Sequence, residues 1–240
     1  LRTPLTSVRA YAELLLQFSQ DGRSEEETEF LNIIQDESTR LTRLIDDVLY
    51  LTRIEARTLT WQVTSFDLRE LVQSLLVDLD SKINFKSLTI DYGPGYDSVR
   101  YNGDRRRIGQ ALTHVLDNAI KFSPVGGRVR IEISQKLTSL EIRVEDGGPG
   151  VPGAAEKAAI FEKFHQRGEA LTDRPEGTGL GLALTREILE AHAGTIFCED
   201  ADLGGAAFVI RIAKVGETRR AVDAGHNLDA VDAFMPWTGV

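Results

Sequence analysis

Between Phe30 and Leu51 apolar side chains return at alternating four- and three-residue steps: Phe30, Ile34, Leu41, Leu44, Val48 and Leu51, with Glu37 in the remaining position. A rhythm kept for three heptads specifies a long helix whose apolar face lies against other helices. Ile33, Ile45 and Leu49 flank that face and widen it. One possible partner is the opening stretch LRTPLTSVRAYAELLL, where Leu5, Val8, Ala12 and Leu15 share one side of a helix. SQDGRS, from Ser19 to Ser24, supplies a turn, and Ser24 with Glu27 forms a capping pattern that opens the second helix. The first helix is too short to cover so wide a stripe. Two such antiparallel hairpins joined as a four-helix bundle would cover it, so a homodimer through residues 1–57 is expected. Packing of the stripe on the chain's own second domain is the alternative.

After EARTLTWQ, Glu55 to Gln62, the pattern changes to short strands and amphipathic helices. A domain boundary is therefore expected there, giving a helical hairpin over 1–59, a second domain over 60–213 and a tail of unknown role over 214–240. FDLRELVQSLLVDLD reads as helix; LTIDY and SVRY read as short strands. Residues 104–122 read as a further helix with Ile108, Leu112, Val115, Ala119 and Phe122 inward. Val129, Ile131 and Ile133, then Leu140, Ile142 and Val144, alternate with polar residues as in a hairpin. A helix over 179–192 and the strands GTIFCE and AAFVIRI complete an α+β sandwich, with helices on one sheet face and a largely polar second face.

A formal net charge of −9 opposes binding to nucleic acid or to an anionic membrane surface. The single cysteine, Cys198, cannot form an intrachain disulfide, and His114, His165, His192 and His226 lack metal-ligand spacing, so a reducing, cytoplasmic setting without zinc is expected. No apolar run approaches the roughly 18 residues that span a bilayer. Any membrane anchor is expected upstream of this chain.

Counting by two from Leu140, Ile142 and Val144 puts the Asp146 carboxylate on the buried side of its strand. A desolvated carboxylate needs a donor, and an adenine amino group is one; a turn of its own in DGGPG is the other use of such an aspartate. Gly147, Gly148 and Gly150 let the backbone approach something closely, and GTGLGL, Gly177 to Leu182, opens a helix. Helix N-termini present unpaired N–H groups to phosphate, although glycine-rich helix entries also serve as plain tight turns. His114, Asn118 and Lys121 share one face of their helix. An amide oxygen at Asn118 suits Mg²⁺ and Lys121 suits phosphate, the alternative being a solvated face. Residues 151–176, with Phe161 and Phe164, have the length and polarity of a mobile lid.

In this order the motifs resemble the core of two-component sensor histidine kinases over residues 1–213: HVLDNAIKFSP is similar to the N box, EDGGPG to the first glycine box, IFEKF to the F box and GTGLGL to the second glycine box. The resemblance implies a dimerisation and phosphotransfer hairpin followed by a GHKL-type (Bergerat) ATP-binding domain. It implies ATP and Mg²⁺ as cofactors, with Asn118 on Mg²⁺, His114 in the position of a frequent asparagine, Lys121 facing phosphate and Asp146 reading adenine. Gly148, Gly150, Phe161, Phe164, Gly177, Thr178, Gly179, Leu180, Gly181 and Leu182 would complete the nucleotide site. LRTPL is similar to the stretch that follows the family's His-Glu pair. The acceptor histidine is accordingly expected just upstream of Leu1, and these 240 residues alone are not expected to autophosphorylate. Thr3 matches the position that aligns water for dephosphorylating a response regulator, whose receiver domain is the implied partner; a plain helix-entry role before Pro4 is the other reading.

Two other functions compete. A dimeric, nucleotide-binding adaptor or pseudokinase would keep the site without transferring phosphate. A gyrase-like or chaperone ATPase would place a water-activating glutamate on the 104–122 helix, where this chain has His114.

Overall fold

The computed structural model describes residues 8, 10–12, 14–15, 25–56, 58–93, 98–166 and 178–214. Ser24, and with it the expected capping pair, lies outside the described residues. The chain divides into two compact units, one formed by residues 1–59 and 163–180, the other by 60–162 and 181–240.

In the first unit, helix α1 spans Glu25–Glu55. Leu44, Tyr50 and Leu51 are buried along it, and Glu37, at the polar position of the stripe, is buried too. The residues described at 8, 10–12 and 14–15 are helical, and the Tyr11 ring packs on Phe30 with centroids 5.5 Å apart. On another side of α1, Leu31, Ile45 and Leu49 remain 43%, 44% and 51% exposed, so the unit leaves an apolar strip uncovered.

The second unit begins with β1 (Val63–Asp67), α2 (Leu68–Asp78) and α3 (Asp80–Phe85), followed by β2 (Thr89–Tyr92), β3 (Arg100–Asp104) and α4 (Arg105–Phe122). It continues through β4 (Arg128–Gln135), β5 (Ser139–Asp146), α5 (Ala154–Ala159), α6 (Gly181–Ala191), β6 (Thr195–Asp200) and β7 (Ala206–Ala213). Strands β1 and β3 form an antiparallel pair. The others make one mixed sheet in the order β2-β4-β5-β7-β6, parallel only between β2 and β4. Helix α4 packs against α2, α6 and β5. Paired residues Val144–Phe208, Ile142–Ile210 and Leu140–Ile212 are all buried.

Three expectations change. Val63–Asp67 is a strand, so the helix expected from Phe66 begins at Leu68; the Asp67 carboxylate accepts the Arg69 N–H at 2.7 Å and caps it there. Phe122, expected inward, is 48% exposed because it is the last helical residue, and the Lys121 ammonium lies 4.8 Å from its ring centroid. The polar stretch after Val151 contains α5, a short helix.

The second sheet face is polar, as expected, and carries a ladder of charge. Arg130 bridges Asp91 (3.4 Å) and Glu145 (3.3 Å), while Arg143 bridges Glu145 (2.6 Å) and Glu199 (2.6 Å). Glu145 is only 2% exposed, and the two guanidiniums offset the cost of burying its carboxylate.

Two buried groups tie the ends of α4 and α6. Asp104 Oδ1 accepts the Arg106 and Arg107 N–H groups, each at 3.1 Å, and Oδ2 accepts the Gln62 N–H at 3.0 Å. His192, fully buried beside the Trp61 ring, accepts the Asp104 N–H on Nε2 at 3.1 Å. Its Nδ1 lies 2.7 Å from the Ile188 carbonyl oxygen, so Nδ1 carries the proton and the ring is neutral. Burial holds the His192 pKa below its ordinary 6.5, and His114 shifts the same way for the same reason. Between the lowered native value and 6.5 the unfolded chain binds more protons, so both histidines contribute stability fully above 6.5 and lose it as pH falls through that window. Asp146, whose pKa is raised above 3.8 by burial, acts with the opposite sign in its own window. The urea midpoint is therefore expected to be lower at about pH 5.5 than at about pH 7.5, followed by tryptophan fluorescence. An unchanged midpoint would contradict the neutral, buried His192.

Candidate functional site

The site is assembled from the ends of three elements of the second unit. Strand β5 delivers Asp146, 2% exposed, with the phase that its alternation dictates. Oδ1 accepts the Gly148 N–H at 2.8 Å and the Ala206 N–H at 3.3 Å. The turn-capping use of this aspartate is thus present, yet it occupies one oxygen only. Among the described residues Oδ2 takes no hydrogen bond. Burial raises the Asp146 pKa, against the pull of the two N–H groups. A carboxylate in that state gains from any external N–H that reaches Oδ2.

Two glycines make room for it. A Cβ at Gly148 would stand 2.6 Å from the Phe122 carbonyl oxygen, and one at Gly205 would stand 2.3 Å from Asp146 Oδ1. Gly205 and Ala206 are the site neighbours that sequence reasoning missed. The signal was the Gly204–Gly205 pair just before β7, which reads locally as an ordinary turn. Gly150 lies in the same loop, against the Gly205 carbonyl.

Helix α4 contributes His114, Asn118 and Lys121, but these separate. Asn118 and Lys121 are partly exposed. The His114 ring is turned against the start of α6, where a Cβ at Gly181 would meet Nδ1 at 3.0 Å; its Nε2 is shut off from solvent without a hydrogen bond. Burial lowers its pKa, so the ring is a neutral packing element beneath that helix end. Gly181 and Leu182 are the first residues of α6 and are partly exposed.

The remaining candidates divide between the units. Phe161 is buried in the second unit, its ring edge-on to Phe208 at 6.3 Å. Phe164, 62% exposed, belongs to the first, where its N–H donates to the Gly179 carbonyl at 2.9 Å. Gly179 has a φ of +70° that a side chain would strain, and Thr178 Oγ1 accepts the N–H of the buried Leu180 at 3.2 Å. Thr3 and Gly177 lie outside the described residues.

Comparison with known proteins settles the family. Residues 1–57 match the model of the His Kinase A (phospho-acceptor) domain, and residues 103–215 match that of the histidine kinase-, DNA gyrase B-, and HSP90-like ATPases. The chain belongs to the two-component sensor histidine kinases. Among its relatives, the circadian input-output histidine kinase CikA of Synechococcus elongatus is 33% identical over 95% of this chain and 31% of its own length. The sensor protein DivL of Caulobacter vibrioides is 33% identical over 88% and 26%. The solved histidine kinase AdeS of Acinetobacter baumannii superposes with a TM-score of 0.70 at 25% identity, covering 89% of this chain and 96% of that one. Histidine kinase ThkA, solved in complex with the response regulator protein TrrA, gives 0.73 at 26% identity, covering 90% and 59%. The α+β architecture expected from the sequence is that of these sensor kinases. The chain spans about a third or less of the length of the curated relatives it matches, from 22% to 34%. No helix among the described residues is long and apolar enough to cross a membrane.

Proposed function

We propose that this sensor kinase core binds Mg-ATP in its second unit, transfers the γ-phosphoryl group to a histidine and passes it on to an aspartate of a response regulator. The observation that carries the reading is the half-satisfied Asp146 carboxylate: buried, oriented through Oδ1 and left with Oδ2 for an amino group. In this assignment Asp146 accepts a hydrogen bond from the adenine amino group, and Gly148 and Gly150 admit the ring. Lys121 meets the phosphates, and Gly181 and Leu182 at the start of α6 supply backbone N–H groups to them, while Phe161, Phe164, Gly177, Thr178, Gly179 and Leu180 are assigned to the nucleotide by family likeness alone. Among the described residues no three acidic, histidine or cysteine side chains gather as a metal site. One amide oxygen at Asn118 fits Mg²⁺, which takes most of its ligands from phosphate and water. When bound, Mg²⁺ neutralises phosphate charge; the chain's own residues orient the nucleotide and exclude water from it. His192 is fully buried and His114 has its Nε2 shut off from solvent, so neither is assigned as the acceptor.

The dimer belongs to the same reading: the strip of Leu31, Ile45 and Leu49 is the face assigned to a second copy, through residues 1–57. The receiver domain of a response regulator and a dephosphorylating role for Thr3 are assigned by family likeness.

Calorimetric titration tests the nucleotide reading. ATP is expected to bind saturably, and GTP about tenfold more weakly or worse, because guanine turns a carbonyl oxygen toward a carboxylate that needs a donor. Absence of ATP binding, or equal binding of GTP, would overturn it.

A further inference from the structure

Helix α4 runs into Ser123 at φ −62° and ψ 140°, without the left-handed glycine that closes many helices. Its terminal carbonyls nevertheless find partners. The Ala119 oxygen accepts the Ser123 N–H at 3.1 Å. Those of Ile120 and Lys121 converge, together with Ser123 O, on the ammonium of Lys86, at 3.2, 2.5 and 2.9 Å. An ammonium has three N–H donors, and each has a carbonyl here. The backbone of the same segment is fixed to the turn beyond α4, with Gly126 N–H to Lys86 O at 2.8 Å and Thr89 N–H to Gly127 O at 2.9 Å. Lys86 is thus a cation at the negative end of the helix dipole, held on both sides of its own chain.

We propose that Lys86 is a positioning residue for the phosphate side of the nucleotide site. It touches none of the assigned nucleotide side chains. It sets where the last turn of α4 ends, and that turn carries Lys121, three residues beyond Asn118. Removing the ammonium leaves two helix carbonyls and that of Ser123 without their partner, in a part-buried corner where the Ser123 hydroxyl already lacks one. The last turn then loosens, and Lys121 and Asn118 lose their fixed spacing. Asp146 is less affected, because Ala206 on β7 anchors it independently of α4. The inference rests on the assignment of Asn118 and Lys121 to Mg²⁺ and phosphate.

The test compares two ligands on one folded protein. In Lys86→Met, Mg-ATP affinity is expected to fall about tenfold or more, while adenosine affinity, from NMR shift titration, changes less than about threefold. A lysine that served stability alone would not separate the two ligands. If Lys86→Met does not fold, Lys86→Arg takes its place: a planar fork cannot meet three carbonyls that converge on one point, so a loss of about threefold or more, confined to Mg-ATP, is expected. An unchanged Mg-ATP affinity in the folded variant, or equal losses for both ligands, overturns the role of Lys86 alone. A wild-type chain that binds neither ligand overturns the nucleotide reading and this assignment with it.

Discussion

Asp146→Asn is expected to weaken Mg-ATP binding roughly 10- to 150-fold, the equivalent of about 1.5 to 3 kcal/mol for a hydrogen bond to a charged group. The structure makes the substitution unusually clean. Gly148 and Ala206 both donate to Oδ1, so the asparagine oxygen takes that place and its amino group falls where Oδ2 was. An adenine amino group then meets a donor instead of an acceptor. The fold should not suffer, since the buried carboxylate is desolvated and its pKa raised, and a neutral amide removes that burden. Loss of binding measured by calorimetry, with an unchanged or higher melting temperature, is the expected pair of results. A loss smaller than about threefold would remove Asp146 from adenine recognition.

Leu184→Ala is expected to destabilise the second unit by about 2 to 5 kcal/mol. Leu184 has no exposed surface, and its helix α6 packs on α4. Truncation there leaves a cavity in a packed part of the core, where the neighbouring Thr185 shares its one hydroxyl proton between the carbonyls of Gly181, within α6, at 2.9 Å and Ala111, on α4, at 3.4 Å. Urea unfolding followed by circular dichroism gives the value; a change under about 1 kcal/mol would mean that the site is more deformable than its burial indicates.

Features dictated by short-range periodicity were the ones legible in the sequence. The alternation through Leu140, Ile142 and Val144 put Asp146 on the buried side, and the four-three rhythm of α1 put Glu37 among its buried residues. What escaped depends on partners distant in the chain. VTSFD becomes a strand because it pairs with Arg100–Asp104, and nothing local announces that register. Lys86 meets carbonyls 34 to 37 residues away, and Ala206 meets Asp146 across 60. Phe122 departs from the inward face for another reason: it is the terminal helical residue, where the packing that enforces the helical period stops. The two phenylalanines of IFEKF look alike in sequence, yet one is core and the other exposed.

The charge ladder on the polar sheet face limits how this sequence can drift. Glu145 is enclosed by Arg130 and Arg143, each of which is also committed to an outer carboxylate, Asp91 or Glu199. A neutral replacement of Arg143 alone leaves the buried anion with Arg130 only, at 3.3 Å, and a neutral replacement of Glu145 alone removes the carboxylate that the two guanidiniums share. Viable descendants must therefore alter these positions in concert, by exchanging the whole set for apolar residues or by reversing the charges together. In a family tree, Glu145 and its two arginines should behave as a single inherited character written at three places in the chain.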